Sequence, residues 1–189
     1  KLTESRRQTM MFSATIAPRI QQLAARIMRT PQRLQIESTQ AQKSNIKQIL
    51  FWADSQQHKR KLLDHWLRDT TIDQAIVFAS TQIECDALAE DLQQVGFSAV
   101  ALHGALSQGL RNRRLQALRD GRVQILVATD VAARGIDVPS ISHVFNFGLP
   151  MKQEDYVHRI GRTGRAGASG LALSFVSGND NRLVVDIEK

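Results

Sequence analysis

The sequence predicts an α/β protein with an open parallel sheet between two layers of helices. Apolar runs of five or six residues, such as residues 75–79, alternate with longer segments whose apolar residues recur at helical spacing. Runs of this kind are typical of strands that are buried on both faces of a parallel sheet. The chain has 189 residues, of which 42% are hydrophobic, so it is long enough to bury a core of this type.

The N-terminal quarter lacks this regular alternation. Residues 8–15 (QTMMFSAT) are interpreted as a buried strand that ends in small polar residues. Residues 17–29 carry apolar side chains at the spacing of one helix face, and a proline then ends the helix. Residues 33–36 are interpreted as a short strand, and the polar residues 38–44 (STQAQKS) as a linker. We therefore expect residues 1–37 to be the tail of one domain.

Beyond the linker, strands and helices alternate to the end of the chain. Strands are predicted at residues 46–53, 75–79, 98–102, 123–128, 142–147 and 171–176. Helices are predicted at residues 55–68, 81–95, 107–119, 153–160 and 180–188. This pattern predicts that residues 45–189 form a second domain.

The net charge of +7 is unevenly distributed. Residues 1–50 hold nine Lys and Arg against two acids, whereas residues 51–189 hold sixteen of each sign. Of the 25 basic residues 18 are Arg, the side chain suited to bidentate contact with phosphate. The charge favours a nucleic-acid partner, although it says nothing about the fold.

Several classes of protein are excluded by composition. The single cysteine, Cys85, rules out an intrachain disulfide and a cysteine-based zinc site, and it suggests a reducing, cytoplasmic compartment. No apolar run approaches the roughly 20 residues that a membrane-spanning helix needs. The chain begins with Lys1 and shows no signal peptide, so we interpret it as a fragment of a longer protein.

Donors that suit phosphate groups follow three of the predicted strands. In open parallel sheets, ligands bind outside the carboxyl ends of the strands. Hydroxyls, amides, guanidinium groups and glycines lie there at Thr81, Gly104, Gln108, Arg111, Thr129 and Gly135. Together they would form a strip that suits a sugar–phosphate backbone bound without reading its sequence.

These residues also have structural interpretations. Thr81 begins a TQIE sequence that matches a helix capping box. Gln108 and Arg111 share a helix face that is typically solvated, and Asp130 and Asp137 are typical of a strand end and a turn. Only their joint placement at strand ends favours a functional role.

The densest signal is the segment 158–167 (HRIGRTGRAG), in which arginines three apart alternate with glycines. Each glycine would cost a helix about 1 kcal/mol, so we expect the arginines to lie on a tight loop beyond a helix end. No acid occurs between Tyr156 and Gly178, which favours a polyanionic ligand. A disordered Arg/Gly segment is the alternative, but the predicted strand at residues 171–176 would hold the loop at both ends.

These motifs resemble the second RecA-like domain of the DEAD-box RNA helicases, in the bacterial branch of superfamily 2. The resemblance covers essentially the whole chain. Residues 13–15 (SAT) resemble the family motif at the end of its first RecA-like domain. The other matching segments are residues 76–81, 103–111, 128–137 (ATDVAARGID) and 158–165 (HRIGRTGR).

The resemblance implies a role for each matching residue. Arg162 and Arg165 would be arginine fingers at the γ-phosphate of ATP, and Asp137 with Gly135 would contact the nucleotide, Asp137 at its ribose. The RNA backbone would be lined by Thr81, Gly104, Gln108, Arg111, Thr129 and Gly135. The residues coupling the two domains would be His158, Arg159, Ser13, Thr15, Asp130 and Arg134.

The sequence departs from the family pattern in two ways. Ala105 stands where many members carry an acid. The chain also contains no Gly-x-x-x-x-Gly-Lys-Ser/Thr loop and no Asp-Glu pair, so ATP and Mg²⁺ would be held by the first RecA-like domain. We therefore expect this chain alone to lack ATPase activity, and we predict no metal site within it.

Two other functions remain open at this stage. Phosphate contacts do not separate RNA from DNA, so a superfamily 2 DNA helicase or translocase lobe is one alternative. A non-catalytic module that clamps RNA is the other. The partners implied are RNA and the first RecA-like domain of the same protein, with no membrane, and the protein is predicted to be monomeric.

Overall fold

The computed structural model describes residues 8–13, 16, 18–34, 45–138 and 140–187. The chain divides into two compact units, Lys1–Glu37 and Ser38–Lys189, and each is described by itself. The predicted linker at residues 38–44 lies outside the described residues, as do Ala14, Thr15 and residues 35–37.

In its described residues, the first unit contains one helix, α1 (Pro18–Ile27), within the predicted 17–29. The strand predicted at residues 8–15 does not form over the described residues 8–13, where Phe12 is 87% exposed. Residues 33 and 34 likewise belong to no strand. A strand needs a neighbour for its backbone N–H and C=O groups, and the described part of this unit contains no other strand.

The second unit alternates strands with helices, as predicted. Its strands are β1 (Ile46–Trp52), β2 (Gln74–Phe78), β3 (Ala99–Leu102), β4 (Ile125–Ala128), β5 (Ile141–Asn146) and β6 (Gly170–Val176). Its helices are α2 (Gln56–Leu67), α3 (Gln82–Gln94), α4 (Gln108–Arg119), α5 (Asp130–Ala133), α6 (Gln153–Ile160) and α7 (Asn181–Ile187). The four-residue helix α5 was not predicted, because one turn is too short to show a helical period.

The six strands form one parallel sheet in the order β1-β6-β5-β2-β4-β3. Successive residues of β2 point to opposite faces, so Ile76 and Phe78 join one apolar cluster while Ala75 and Val77 join another. The first cluster contains residues of α4, α5 and α6, and the second contains residues of α2 and α3. The predicted fold class, an α/β sheet with helices on both faces, is confirmed.

The thiol of Cys85 provides a test of this core. Its side chain is fully buried on α3, and Sγ lies 2.9 Å from the carbonyl oxygen of Val127. Burial raises the pKa of the thiol from 9.0 to about 11. At neutral pH the thiolate fraction is then about a hundredfold below that of an exposed cysteine.

We expect a maleimide to leave Cys85 unmodified in the native chain and to modify it fully in denaturant, as measured by intact mass. Since the chain has one cysteine, any mass gain reports this site alone. Modification at equal rates in both conditions would contradict the buried position.

Candidate functional site at the carboxyl ends of the strands

The predicted phosphate donors follow the strands β2, β3 and β4. The order of the strands in the sheet places the ends of these three strands next to each other. β4 lies between β2 and β3, and Ala128 is in register with Phe78 on one side and Leu102 on the other. The strip expected from the sequence therefore occupies one continuous edge. Thr81, Thr129 and Gly104 follow these three strands within three residues of their ends.

Thr81 is the N-cap of α3. Its hydroxyl accepts a hydrogen bond from the Glu84 backbone N–H at 3.1 Å. The Glu84 carboxylate accepts from the Ser80 N–H at 2.6 Å, one residue earlier than in a capping box. The capping interpretation of Thr81 is thus confirmed, and its exposed position at a helix N-terminus also suits an anion.

The loop that carries Gly104 is anchored by His103, which is buried. His103 Nδ1 accepts from the Ala105 backbone N–H at 3.3 Å, so the ring proton is on Nε2 and faces Asp86 Oδ1 at 2.8 Å. Gln108, at the start of α4, donates to Asn112 at 2.9 Å and remains exposed.

Arg111 has a contact that the sequence did not reveal. Its Nη2 donates to the carbonyl oxygen of Ala132 at 2.6 Å, which ties α4 to the end of α5. Thr129 makes no side-chain capping bond at the start of α5, and Gly135 turns the chain with a φ of +74°, a left-handed conformation that favours glycine. Arg111 therefore braces the segment that carries Thr129 and Gly135.

Arg159 is the central buried charge of the site, with 2% of its surface exposed. Its Nε and Nη2 donate to the two carboxylate oxygens of Asp130 at 2.5 and 2.6 Å. Nη1 donates to the Asn146 side chain and the Gly148 carbonyl, and the guanidinium lies 4.8 Å above the Phe78 ring. One side chain of α6 thus holds the ends of β2, β4 and β5 together.

Arg162 and Arg165 follow α6 and point toward the segment after α5. Arg162 Nη1 donates to the Ile136 carbonyl at 3.0 Å, and Arg165 Nη1 donates to Asp137 Oδ1 at 2.9 Å. Burial, and then the like charge of Arg165, lower the pKa of Arg162, while Asp137 opposes this change. The two predicted arginine fingers, Arg162 and Arg165, therefore lie next to Asp137, the predicted contact of the ribose.

The arginine cluster differs from its prediction in two respects. Arg159 lies in the last turn of α6, and only Arg162 and Arg165 lie beyond the helix. The cluster also has acidic partners. Asp130 pairs with Arg159 and lies 29 positions away in the sequence, and Asp137 pairs with Arg165 and lies 28 positions away. Both acids lie too far along the chain for a local sequence pattern to reveal these pairs.

The loop itself is ordered by Thr163, a residue for which the sequence predicted no role. Its buried hydroxyl lies 2.7 Å from the Ile141 carbonyl and 2.9 Å from that of Ser142. A Cβ at Gly164 would come within 2.7 Å of Ile46, so glycine is required for this approach. The loop is held at both ends, as the position of β6 predicted.

The predicted coupling residues are only partly brought together. His158, Arg134 and Asp130 line a small cleft with Asp155, whose carboxylate lies 3.8 Å from Arg134. Ser13 belongs to the first unit, and Thr15 lies outside the described residues.

The described residues contain no group of three or more His, Cys, Asp or Glu side chains arranged to hold a metal ion. In the same part of the chain, no helix is long and apolar enough to cross a membrane.

Comparison with known proteins identifies relatives along nearly the whole chain. Residues 57–167 match the helicase conserved C-terminal domain family. The ATP-dependent RNA helicase SrmB of Escherichia coli is 42% identical over 183 residues, which are 96% of this chain and 41% of SrmB. RhlB of Aliivibrio fischeri is 47% identical over 173 residues, 89% of this chain and 39% of RhlB. The chain thus spans about two fifths of the length of these relatives.

Solved structures show the same relationship. The crystal structure of E. coli SrmB bound to the regulator of ribonuclease activity A has a TM-score of 0.72 at 44% identity, covering 75% of this chain and 84% of that one. S. cerevisiae Dbp5 bound to RNA and ADP BeF3 has a TM-score of 0.82 at 33% identity, covering 94% of this chain and 47% of that one.

The parallel sheet and its arginine-bearing loop are those of a helicase lobe, and the chain belongs to the helicase conserved C-terminal domain family. Within that family it is a C-terminal RecA-like domain of the DEAD-box type. The resemblance drawn from the motifs is confirmed.

Proposed function

We propose that this chain is the second lobe of an ATP-dependent RNA helicase. It binds the RNA backbone and supplies arginine fingers for RNA-stimulated ATP hydrolysis, which drives local duplex unwinding or ribonucleoprotein remodelling. One observation carries the proposal: phosphate-type donors line the adjoining ends of β2, β4 and β3. Arg162 and Arg165 bond to Ile136 and Asp137, on the segment that carries two of these donors. The names of the relatives, ATP-dependent RNA helicases, support it.

The RNA backbone runs along the strip of strand ends. Thr81 and Thr129 offer hydroxyls, Gln108 an exposed amide, and Gly104 and Gly135 allow close approach of the backbone. Arg111 contacts RNA with the guanidinium nitrogens that are not bonded to Ala132. Contacts of this kind hold phosphates without reading bases.

ATP lies between this lobe and the first RecA-like domain, its partner in the same protein. Arg162 and Arg165 fit the phosphates, since each keeps further N–H donors beyond those bonded to protein carbonyls and Asp137. Asp137, 85% exposed, fits a ribose hydroxyl. When bound, ATP would supply the transferred phosphoryl group, and Mg²⁺, which the first domain would hold, would neutralise its charge.

Nucleotide state reaches RNA through the residues around the cleft. Arg159 and Asp130 join α6 to the segment that carries Thr129 and Gly135, so a movement of Arg162 is transmitted to two RNA contacts. We assign the same role, the coupling of nucleotide state to RNA binding, to His158, Arg134, Ser13 and Thr15. We also propose that the protein acts as a monomer in the cytoplasm.

Replacing Gln108 by Ala in the full-length protein is expected to weaken RNA binding about three- to tenfold, the value of one exposed hydrogen bond. Binding of labelled single-stranded RNA is measured by anisotropy with a non-hydrolysable ATP analogue. The matched control is Gln116→Ala on the same helix, since Gln116 bonds to Asp120 near the opposite end of α4.

A DNA strand of the same sequence separates the alternatives. Equal affinity for both strands would favour a DNA helicase or translocase lobe, because only a contact with the 2′-hydroxyl distinguishes RNA. Equal RNA binding by both glutamine variants would contradict the proposed RNA path.

A further inference from the structure

The outer face of helix α4 carries positive charge with which no acid of the described residues pairs. The helix contains four arginines and no acid, and the sequence has no Asp or Glu between Asp91 and Asp120. Its exposed residues, which form this outer face, are Gln108, Gly109, Asn112, Arg113, Gln116 and Arg119. The outer face therefore consists of neutral and basic residues alone.

The arginines of α4 lack the acidic partners that other arginines have. In the described part of the second unit, five arginines pair with a carboxylate: Arg68, Arg122, Arg134, Arg159 and Arg165. Arg111 and Arg114 donate instead to backbone carbonyl oxygens, which leaves their charges uncompensated. The side chains of Arg113 and Arg119 have neither an ion pair nor a hydrogen bond with any described residue. These two exposed cations are available to an anion from outside.

The outer face of α4 continues the proposed RNA path. The strip of strand ends crosses β2, β4 and β3, and β3 is an edge strand of the sheet. The next helix along the chain is α4, whose first residue, Gln108, belongs to the path. At 3.6 residues per turn, Arg119 lies on the same side of the helix as Gln108, about 16 Å farther along, and Arg113 lies between them. A strand that leaves the strip beyond β3 therefore meets Arg113 and then Arg119.

The surrounding charges favour RNA on this face over the opposite face of the sheet. There, the exposed residues of α3 include Asp86, Glu90 and Asp91, which repel phosphate. The acid that follows α4, Asp120, is already paired with Arg122 at 2.9 Å. A polyanion is therefore attracted to α4 and repelled by α3.

We propose that an RNA strand longer than the strip of strand ends continues along the outer face of α4, where Arg113 and Arg119 contact its phosphates. The inference rests on the proposed function and adds a second contact surface to it. Gln116 lies between the two arginines, but its amide is bonded to Asp120, so the arginines alone carry the contact. Such contacts release counterions without reading bases, and their number sets the salt dependence of binding.

The test measures binding of uridine oligonucleotides of about 6 to 20 nucleotides to the full-length protein by anisotropy, with a non-hydrolysable ATP analogue. Replacing Arg113 and Arg119 together by Gln is expected to weaken binding of the longest oligonucleotides about tenfold and to leave the shortest unchanged. For the long oligonucleotides, the slope of log affinity against log salt is expected to fall in magnitude by about 1.4, since each phosphate contact with a single strand contributes about 0.7.

The matched control is the double variant Lys61→Gln and Arg68→Gln. It removes two exposed charges from α2 and its C-cap, on the opposite face of the sheet. Affinity and salt slope are expected to stay unchanged at every length, which separates a contact on α4 from an effect of net charge. A loss as large as that of the α4 variant would overturn the proposal.

Comparison with Gln108→Ala keeps this inference apart from the proposed function. That variant is expected to weaken binding at every length, because Gln108 belongs to the strip. If the α4 double variant binds all lengths normally while Gln108→Ala weakens them, α4 carries no RNA and the proposed function stands. Equal weakening of short and long oligonucleotides by the α4 variant would likewise contradict an extended path. A poly-glutamate peptide that only the unmodified protein binds, with RNA binding unchanged, would assign the face to an acidic protein instead.

Discussion

Replacing Arg162 or Arg165 by Gln in the full-length protein is expected to lower RNA-stimulated ATP hydrolysis by about 10³–10⁵, the contribution of an arginine finger. Each guanidinium stabilises negative charge that develops on the transferred phosphoryl group, and glutamine carries no charge to replace it. Steady-state phosphate release with saturating RNA measures the effect.

The geometry indicates why these two arginines are available. Arg165 is paired with a largely exposed carboxylate, and such a surface pair is worth about 0–1 kcal/mol, so little opposes its transfer to a phosphate. Arg162 is held by the carbonyls of His158 and Ile136, which orient it without neutralising it. Burial and the charge of Arg165 both disfavour the cationic form of Arg162 and so lower its pKa. A phosphate relieves this repulsion.

The control is Arg122→Gln, which removes an exposed arginine paired with Asp120 just before β4, at the opposite end of the strands. It is expected to keep full turnover. Arginine variants that retain more than a tenth of the turnover would contradict the finger assignment. Variants that lose turnover but keep RNA-dependent function would favour the clamp. The 189-residue chain alone serves as a blank, because it contains no phosphate-binding loop.

The sheet was predictable because its signals are local. A continuous apolar run such as that of β2 needs no knowledge of the rest of the chain, and the observed strand differs from the predicted 75–79 by one residue at each end. Helix α6 begins and ends at the predicted residues 153 and 160, since Gly161 stops it. Strand adjacency then places Thr81, Gly104 and Thr129 along one edge of the sheet.

The contacts within the site were not predictable because they join distant segments. Arg159 was expected on a loop together with Arg162 and Arg165, yet it is buried against Asp130. Arg111 looked like a free phosphate ligand, yet it bonds to Ala132. Residues 8–13 have the composition of a strand but no described neighbour to pair with. In each case the outcome depends on a partner that sequence spacing does not reveal.

Replacing Asp130 by Ala is expected to destabilise the chain by about 3–5 kcal/mol, the cost of leaving the buried charge of Arg159 without its partner. The loss is large because Arg159 cannot move its charge to water: it is enclosed by Phe78, Asn146 and Gly148. Urea unfolding followed by tryptophan fluorescence gives the difference in the free energy of unfolding.

Two further variants isolate the pair. Asp64→Ala breaks the exposed Asp64–Arg68 pair and is expected to cost at most about 1 kcal/mol. Arg159→Lys keeps the positive charge but lacks the planar fork that meets both oxygens of Asp130, so it is expected to recover little of the stability. Equal losses for Asp130→Ala and Asp64→Ala would show that Arg159 is not a buried charge. A stable Asp130→Ala protein that still binds RNA normally would also remove the proposed link between α6 and the RNA contacts at Thr129 and Gly135.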